Sequence, residues 1–232
     1  MFVITADQID SRHDRDRASD MIAELVQRHA EAFTLPPDQT SGDEIQLLVG
    51  TAADAFAIVL DLHRTGFWSV GVGVGPVRTP LPATTRQATG DAFIAARAAV
   101  TRAKRAEARF ALDTPPAADR PGTSTATEVE ALVTMLLLLR QRRSGEGWEA
   151  VDLLENGLAQ TDIARRLGIS TAAVSQRVKS AQWKVERAAH RALVRLLDNL
   201  DSATLTSDTV DNDTHDSDTQ DSDTSEMDGL RR

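Results

Sequence analysis

Residues 158–181 read LAQTDIARRLGISTAAVSQRVKSA, and their side chains constrain one another's places. Ile163, Ala164 and Leu167 fall on one face of a short helix that starts near Gln160 or Thr161. Gly168 supplies the permissive backbone of a tight turn, Ile169 fills the angle between two helices, and Ser170 is placed to cap the next one. Val174 and Val178, four apart, then hold the second helix to the first, and Ala164 is small enough to let the two approach closely. Two helices precede the pair. Glu128 to Arg143 is apolar on more than one face, which suits deep burial or an interface, and Trp148 to Glu155 follows. Beyond the pair, Ala181, Val185, Ala188, Ala192 and Leu196 recur at spacings of three and four, and Leu193, Leu197 and Leu200 widen the stripe. That helix reads equally as a dimerisation helix or as the last helix of its domain.

The pattern at 158–181 resembles the helix-turn-helix of bacterial transcription regulators and of the promoter-reading region of sigma factors. The resemblance implies that the second helix enters the major groove of double-stranded DNA with Thr171, Ala172, Ser175, Gln176 and Lys179 facing base edges. Gln176 matches adenine in a bidentate contact, and Ala172 or Thr171 suits a thymine methyl. Arg165, Arg166, Arg177 and Lys179 are phosphate candidates, which supply affinity more than sequence choice.

The net charge of −9 on 232 residues seems to oppose such a partner. Eleven acids and two arginines after Leu197 account for all of it, leaving 24 acids and 24 bases in the body. Between 160 and 197 only two acids face eight bases, so the segment that resembles a DNA reader is the basic one. Residues 201–232 carry an imperfect D-S-D-T repeat with almost no large apolar side chain, and a disordered acidic tail is expected there. Cysteine is absent, which excludes disulfides, thiolate metal sites and thiol nucleophiles. The start, MFVITADQID, lacks a basic region followed by an apolar run, and no apolar run approaches the roughly 20 residues of a membrane helix. A cytoplasmic protein without a membrane partner is expected.

A second boundary is read at TPPAADRPGTSTAT, whose three prolines and missing apolar periodicity suggest a linker over 114–127. It divides the body into 1–113 and 128–200. In the first part, FVITADQI reads as a strand, Asp14 to Ala32 as a helix, and FTLPPDQT and GDEIQLLV as a hairpin joined at Ser41-Gly42-Asp43. A helix over 52–65, the strand WSVGVGVGPV, a helix over 90–105 and the strand ARFAL complete the order β-α-β-β-α-β-α-β. The fold class is therefore α+β, a ferredoxin-like sheet followed by an all-α part. Asp7 at the end of the first strand and Asp43 in the hairpin converge in such a sheet, and paired carboxylates suit Mg²⁺ with a nucleotide phosphate. Gly71, Gly73 and Gly75 alternate with valine inside a strand and read as sites of close packing rather than as a phosphate loop.

In order and spacing these motifs resemble the catalytic domain of class III nucleotidyl cyclases and the related GGDEF domain. The resemblance implies a nucleotide-binding set of Asp7, Gln8, Ser11, Arg12, Asp43, Glu44 and Arg97, with Asp7 and Asp43 as metal ligands. Cyclases carry an Asn four residues before the catalytic Arg, and here Phe93 stands four before Arg97; Asp10 stands where glycine is common. A missing transition-state donor costs about 10²- to 10³-fold in rate, so the expectation is a degenerate cyclase-like domain that senses a purine nucleotide or cyclic (di)nucleotide. Pairing of such domains implies a homodimer on a palindromic operator. Two other functions fit the same residues: an active cyclase with an accessory helix-turn-helix, and a protein-interaction module.

Overall fold

The structure is a computed structural model that describes residues 1–40, 42–116 and 124–214, with side chains to Leu205. It is a mixed α/β arrangement of a five-stranded open sheet and eight helices. The central strand β1 (Phe2–Gln8) is buried along nearly its whole length, because helices cover both faces of the sheet. It pairs antiparallel with β3 (Glu44–Val49) on one side and β4 (Trp68–Val74) on the other. Outside them lie β2 (Phe33–Thr40), antiparallel to β3, and β5 (Phe110–Asp113), parallel to β4, giving the order β2-β3-β1-β4-β5. The expected adjacency of the first and third strands is present.

Helices α1 (Ala18–His29) and α2 (Ala52–Thr65) lie on the face presented by Phe2, Ile4 and Ala6. The bounds of α2 follow from local chemistry. Thr51 accepts a hydrogen bond from the Asp54 amide at its start, and Gly66, at φ +75°, ends it. Helix α1 begins later than the sequence suggests, because residues 9–17 form turns held by the buried Gln8, whose amide donates to the Arg15 carbonyl and accepts from the Arg17 amide.

The opposite face belongs to α3 (Asp91–Ala103), whose Ala92, Ala96, Ala99 and Ala103 are buried against the sheet. A Cβ at Gly71 would lie 2.1 Å from the Val100 nitrogen, and one at Gly73 would lie 2.1 Å from the Ala92 carbonyl oxygen. The strand glycines are thus the surface on which α3 rests, as their alternation with valine suggests.

The body does not divide at 114–127 into a sheet domain and a separate helical domain. Thr125 and Glu128 form a capping box that starts α4 (Ala126–Gln141), and Val129, Val133, Leu136 and Leu137 enter the same core as Phe2, Ile4, Phe56 and Val72. Glu130 accepts the Leu112 amide of β5 at 2.7 Å and pairs with Arg102 of α3 at 3.0 Å. Leu193, Leu197 and Leu200 of the last helix, α8 (Trp183–Thr214), join that core too, so α8 is a core helix of the sheet layer. Composition locates a polar connection but says nothing about where the chain goes afterwards. The expected disordered tail begins at Asp201; helix α8 runs past that residue to Thr214, and in the first turn beyond it Ala203 and Thr204 are buried and Asp201 pairs with the Met1 amino group. Residues 215–232 of the expected tail, and 117–123 of the expected linker, lie outside the described residues.

Between α4 and α8 stand α5 (Gly145–Glu155), α6 (Gln160–Leu167) and α7 (Thr171–Ser180), with a small core of their own around Ala150, Ile163, Ala164, Val174 and Val178. They are joined to the sheet layer by charge. Arg140 of α4 and Arg143, just past its end, are buried and both pair with the buried Glu186 of α8. Arg143 also donates to the Ala181 carbonyl at 2.8 and 3.0 Å, and Arg140 to that of Leu60 in α2 at 3.3 Å. The guanidinium groups of Arg64, Arg140 and Arg143 lie 4.3, 4.8 and 4.2 Å from the ring centre of Trp148 in α5.

Burial and the nearby Arg140 hold His63 down at about 4, from an ordinary value of 6.5. Between those values the unfolded chain binds a proton that the folded chain does not, so this contribution is complete above about pH 6.5 and is lost as pH falls toward 4. His190 is depressed in the same direction, by burial and then by Arg187. Denaturant unfolding at a series of pH values should show stability declining on acidification below about pH 6.5. His63→Gln should flatten that decline, and an unaltered slope would place the acid sensitivity elsewhere. Among the described residues, no helix is long and apolar enough to cross a membrane.

Candidate functional site

Helix α6 ends at Gly168, φ +65°, where a left-handed residue turns the chain, and the Ile169 amide returns to the Ala164 carbonyl at 3.0 Å. Ser170 caps α7 by accepting from the Ala173 amide at 3.1 Å. Val174 and Val178 turn inward onto Ile163 and Ala150, which rotates the opposite side of α7 into solvent. Thr171, Ala172, Ser175, Gln176 and Lys179 are all exposed there. The five base-facing candidates therefore share one open face, interrupted only by a 3.4 Å contact from the Gln176 amide nitrogen to Ser180.

The phosphate candidates differ from one another. Arg166 is exposed and has no ion pair among the described residues, whereas Arg165 is exposed but pairs with Asp162 at 2.9 Å. Arg177 is half-buried and pairs with Glu149 of α5 at 3.1 Å, so its charge is spent holding α7 to α5. Four further basic residues, Lys184, Arg187, Arg191 and Arg195, are exposed on α8 directly after α7. The excess of bases over 160–197 includes them without giving them a place in the fold. Their signal was the spacing of Arg187, Arg191 and Arg195 at i, i+4 and i+8, which puts them on one helix face.

At one end of the sheet, Asp7 and the hairpin residue Asp43 come together through the backbone, the Gln8 amide donating to the Asp43 carbonyl at 3.0 Å. Ser11, in the turn after β1, donates to the Asp43 carboxylate at 2.6 Å, closing the loop over the hairpin. Asp7 lies opposite Glu44 in the strand register, and Glu44 accepts from the Thr40 hydroxyl at 2.7 Å. Gln8 is not free for a ligand, since it is buried and both ends of its amide hold the loop. Arg12 is exposed in that loop. Arg97 is exposed on the outer side of α3, and the cation beside Asp7 is Lys104, just past the end of α3, whose Nζ lies 2.6 Å from the carboxylate.

Asp10, which stands where the resembling cyclases have glycine, has φ +57°. Its own carbonyl accepts the His13 amide and its carboxylate meets the His13 ring at 2.9 Å, which is how a short polar side chain tolerates a left-handed turn. Asp7 and Asp43 are the carboxylates that would hold a divalent cation beside a nucleotide phosphate, and an ion on Asp7 would have to displace the Lys104 ammonium; among the described residues no group of three or more His, Cys, Asp or Glu is gathered.

Compared with known proteins, the chain matches no family profile, no curated protein and no solved structure.

Proposed function

We propose that this chain is a transcription regulator that binds double-stranded DNA through α6 and α7 and takes a nucleotide, linear or cyclic, as an effector in its sheet layer. One observation carries the reading: α7 is anchored by Val174 and Val178 to α5 and α6 and leaves Thr171, Ala172, Ser175, Gln176 and Lys179 on one uncovered face. That is the placement a recognition helix needs to reach base edges. The effector half rests on the closure of the Ser11 turn over Asp43 beside the Asp7 and Lys104 pair, where a phosphate would compete with Asp7 for the ammonium. A ligand there regulates DNA binding only through different affinities for the binding and non-binding arrangements. Pairing of two copies would set two α7 helices on a palindromic operator, and sedimentation of the full chain with and without DNA tests it.

The decisive experiment is selection of bound fragments from random genomic DNA, followed by titration of the enriched site. In that assay Gln176→Ala is expected to cost about 1–3 kcal/mol and to relax preference at one base pair. Lys179→Ala is expected to weaken all sequences alike and to lower the salt slope by about 0.9. Failure of the full chain to retain any fragment at low salt would remove the reading. Calorimetric titration with purine nucleotides and cyclic dinucleotides, with and without Mg²⁺, tests the effector half. Binding that survives chelation and is lost in Lys104→Ala is the expected result, and turnover of ATP or GTP abolished by Asp43→Ala would instead favour an active cyclase.

A further inference from the structure

Three adjoining concavities run from the C-terminal half of α7 along α8, with volumes of about 360, 320 and 600 Å³. The first two share Trp183 and Lys184, and the second and third share Ala188, His190 and Arg191, so they adjoin one another along α8 as a shallow groove. Lys179, Lys184, Arg187, Arg191 and Arg195 line it, and among the described residues no carboxylate does. Arg187 meets Glu155 at 3.3 Å, while the other four have no ion pair among the described residues. Five cations in one groove on a chain of net charge −9 call for an anionic occupant.

We propose that the groove is the docking site of the chain's own acidic C-terminal segment, residues 215–232. That segment holds Asp216, Asp218, Asp221, Asp223, Glu226 and Asp228. Its D-S-D pairs, two residues apart, space carboxylates at about 6.6 Å in an extended strand. Arg187, Arg191 and Arg195 follow one another at a helical rise of about 6 Å, so the spacing of Asp221 and Asp223 matches that of two successive guanidinium groups. The reach is sufficient. From Thr214 back to Lys184 is about 45 Å along α8, and the fourteen residues from Thr214 to Asp228, the last acid of the segment, span up to about 50 Å. The contact is autoinhibitory only if the groove borders bound DNA, a consequence that rests on the reading above; the contact itself does not depend on DNA.

The scarcity of lysine provides a clean test. Zero-length carbodiimide coupling of the full chain joins carboxylates to amines, and its only side-chain amine targets are Lys104, Lys179 and Lys184. At low salt, amides from acids of 215–232 should form within one chain at Lys179 and Lys184, with Lys104 as the control. They should vanish at about 1 M salt, where the screening length is about 3 Å. Equal coupling to Lys104, or none to Lys179 and Lys184, would overturn the proposal, and amides between two copies would overturn the assignment to the chain's own segment. A full-length chain carrying D216N, D218N, D221N, D223N, E226Q and D228N should then bind DNA several-fold more tightly at low salt. Coupling at Lys179 and Lys184, with no DNA retained by either chain, would support the contact and remove the DNA reading alone.

Discussion

Glu186→Ala is expected to lower unfolding free energy by about 3–5 kcal/mol, because it strands two buried arginines without their shared counter-charge. Arg140 and Arg143 are 6% and 7% exposed, and Glu186 is their only carboxylate partner among the described residues. The large effect reports the cost of uncovered charge rather than the strength of the pair. Replacing all three together, Arg140→Met, Arg143→Met and Glu186→Leu, should therefore restore much of the loss in equilibrium denaturation. A Glu186→Ala protein as stable as the parent would mean that the guanidinium groups reach water or the Trp148 face instead. The same substitution has a positional reading. Glu186, Arg140 and Arg143 connect the sheet layer to α5 and to the start of α8, so its loss should also loosen the approach of the α6 and α7 pair to the sheet.

Gly73→Ala is expected to cost about 3 kcal/mol or more, or to prevent folding, and Gly71→Ala to behave alike. At both positions the atoms an added methyl meets are backbone atoms of α3, so the whole helix must lift from the sheet. Trimming the neighbour does not help. Gly73→Ala combined with Ala96→Gly should remain as unstable as the single change, because the contacts within 3.0 Å are the Ala92 carbonyl oxygen and the Ala96 nitrogen and Cα. Gly50→Ala supplies the contrast, since its nearest neighbour is the Thr34 hydroxyl at 3.5 Å, an ordinary contact. A Gly73→Ala protein with unchanged denaturation midpoint would show that α3 is not packed as tightly as its alanines imply.

Much of the fold was legible where the signal is local. The α2 limits follow from a threonine cap and a terminal glycine, and the α6 turn follows from Gly168 and Ser170. The valine and glycine alternation of β4 announced close packing because a strand presents alternate residues to opposite faces. The candidate site was legible in part. The exposed face of α7 could be derived from the spacing of Val174 and Val178, which name the buried side and so its opposite. By contrast, the commitment of Arg177 to Glu149, of Gln8 to its own loop and of Lys104 to Asp7 each joins residues from different elements. No periodicity within one element carries that information.

The same division holds for the protein as a whole. The sequence alone determined the order of strands and helices, the turn between α6 and α7, and the basic character of 160–197, since each depends on neighbours within a few residues. Only the tertiary structure decided that α4 and α8 belong to the core of the sheet and that helix continues past Asp201. It also decided that Arg140 and Arg143 are buried on one glutamate. These depend on which surfaces meet after the chain has turned back on itself. An apolar stripe or a cation states that it needs a partner, and the fold chooses which partner it receives.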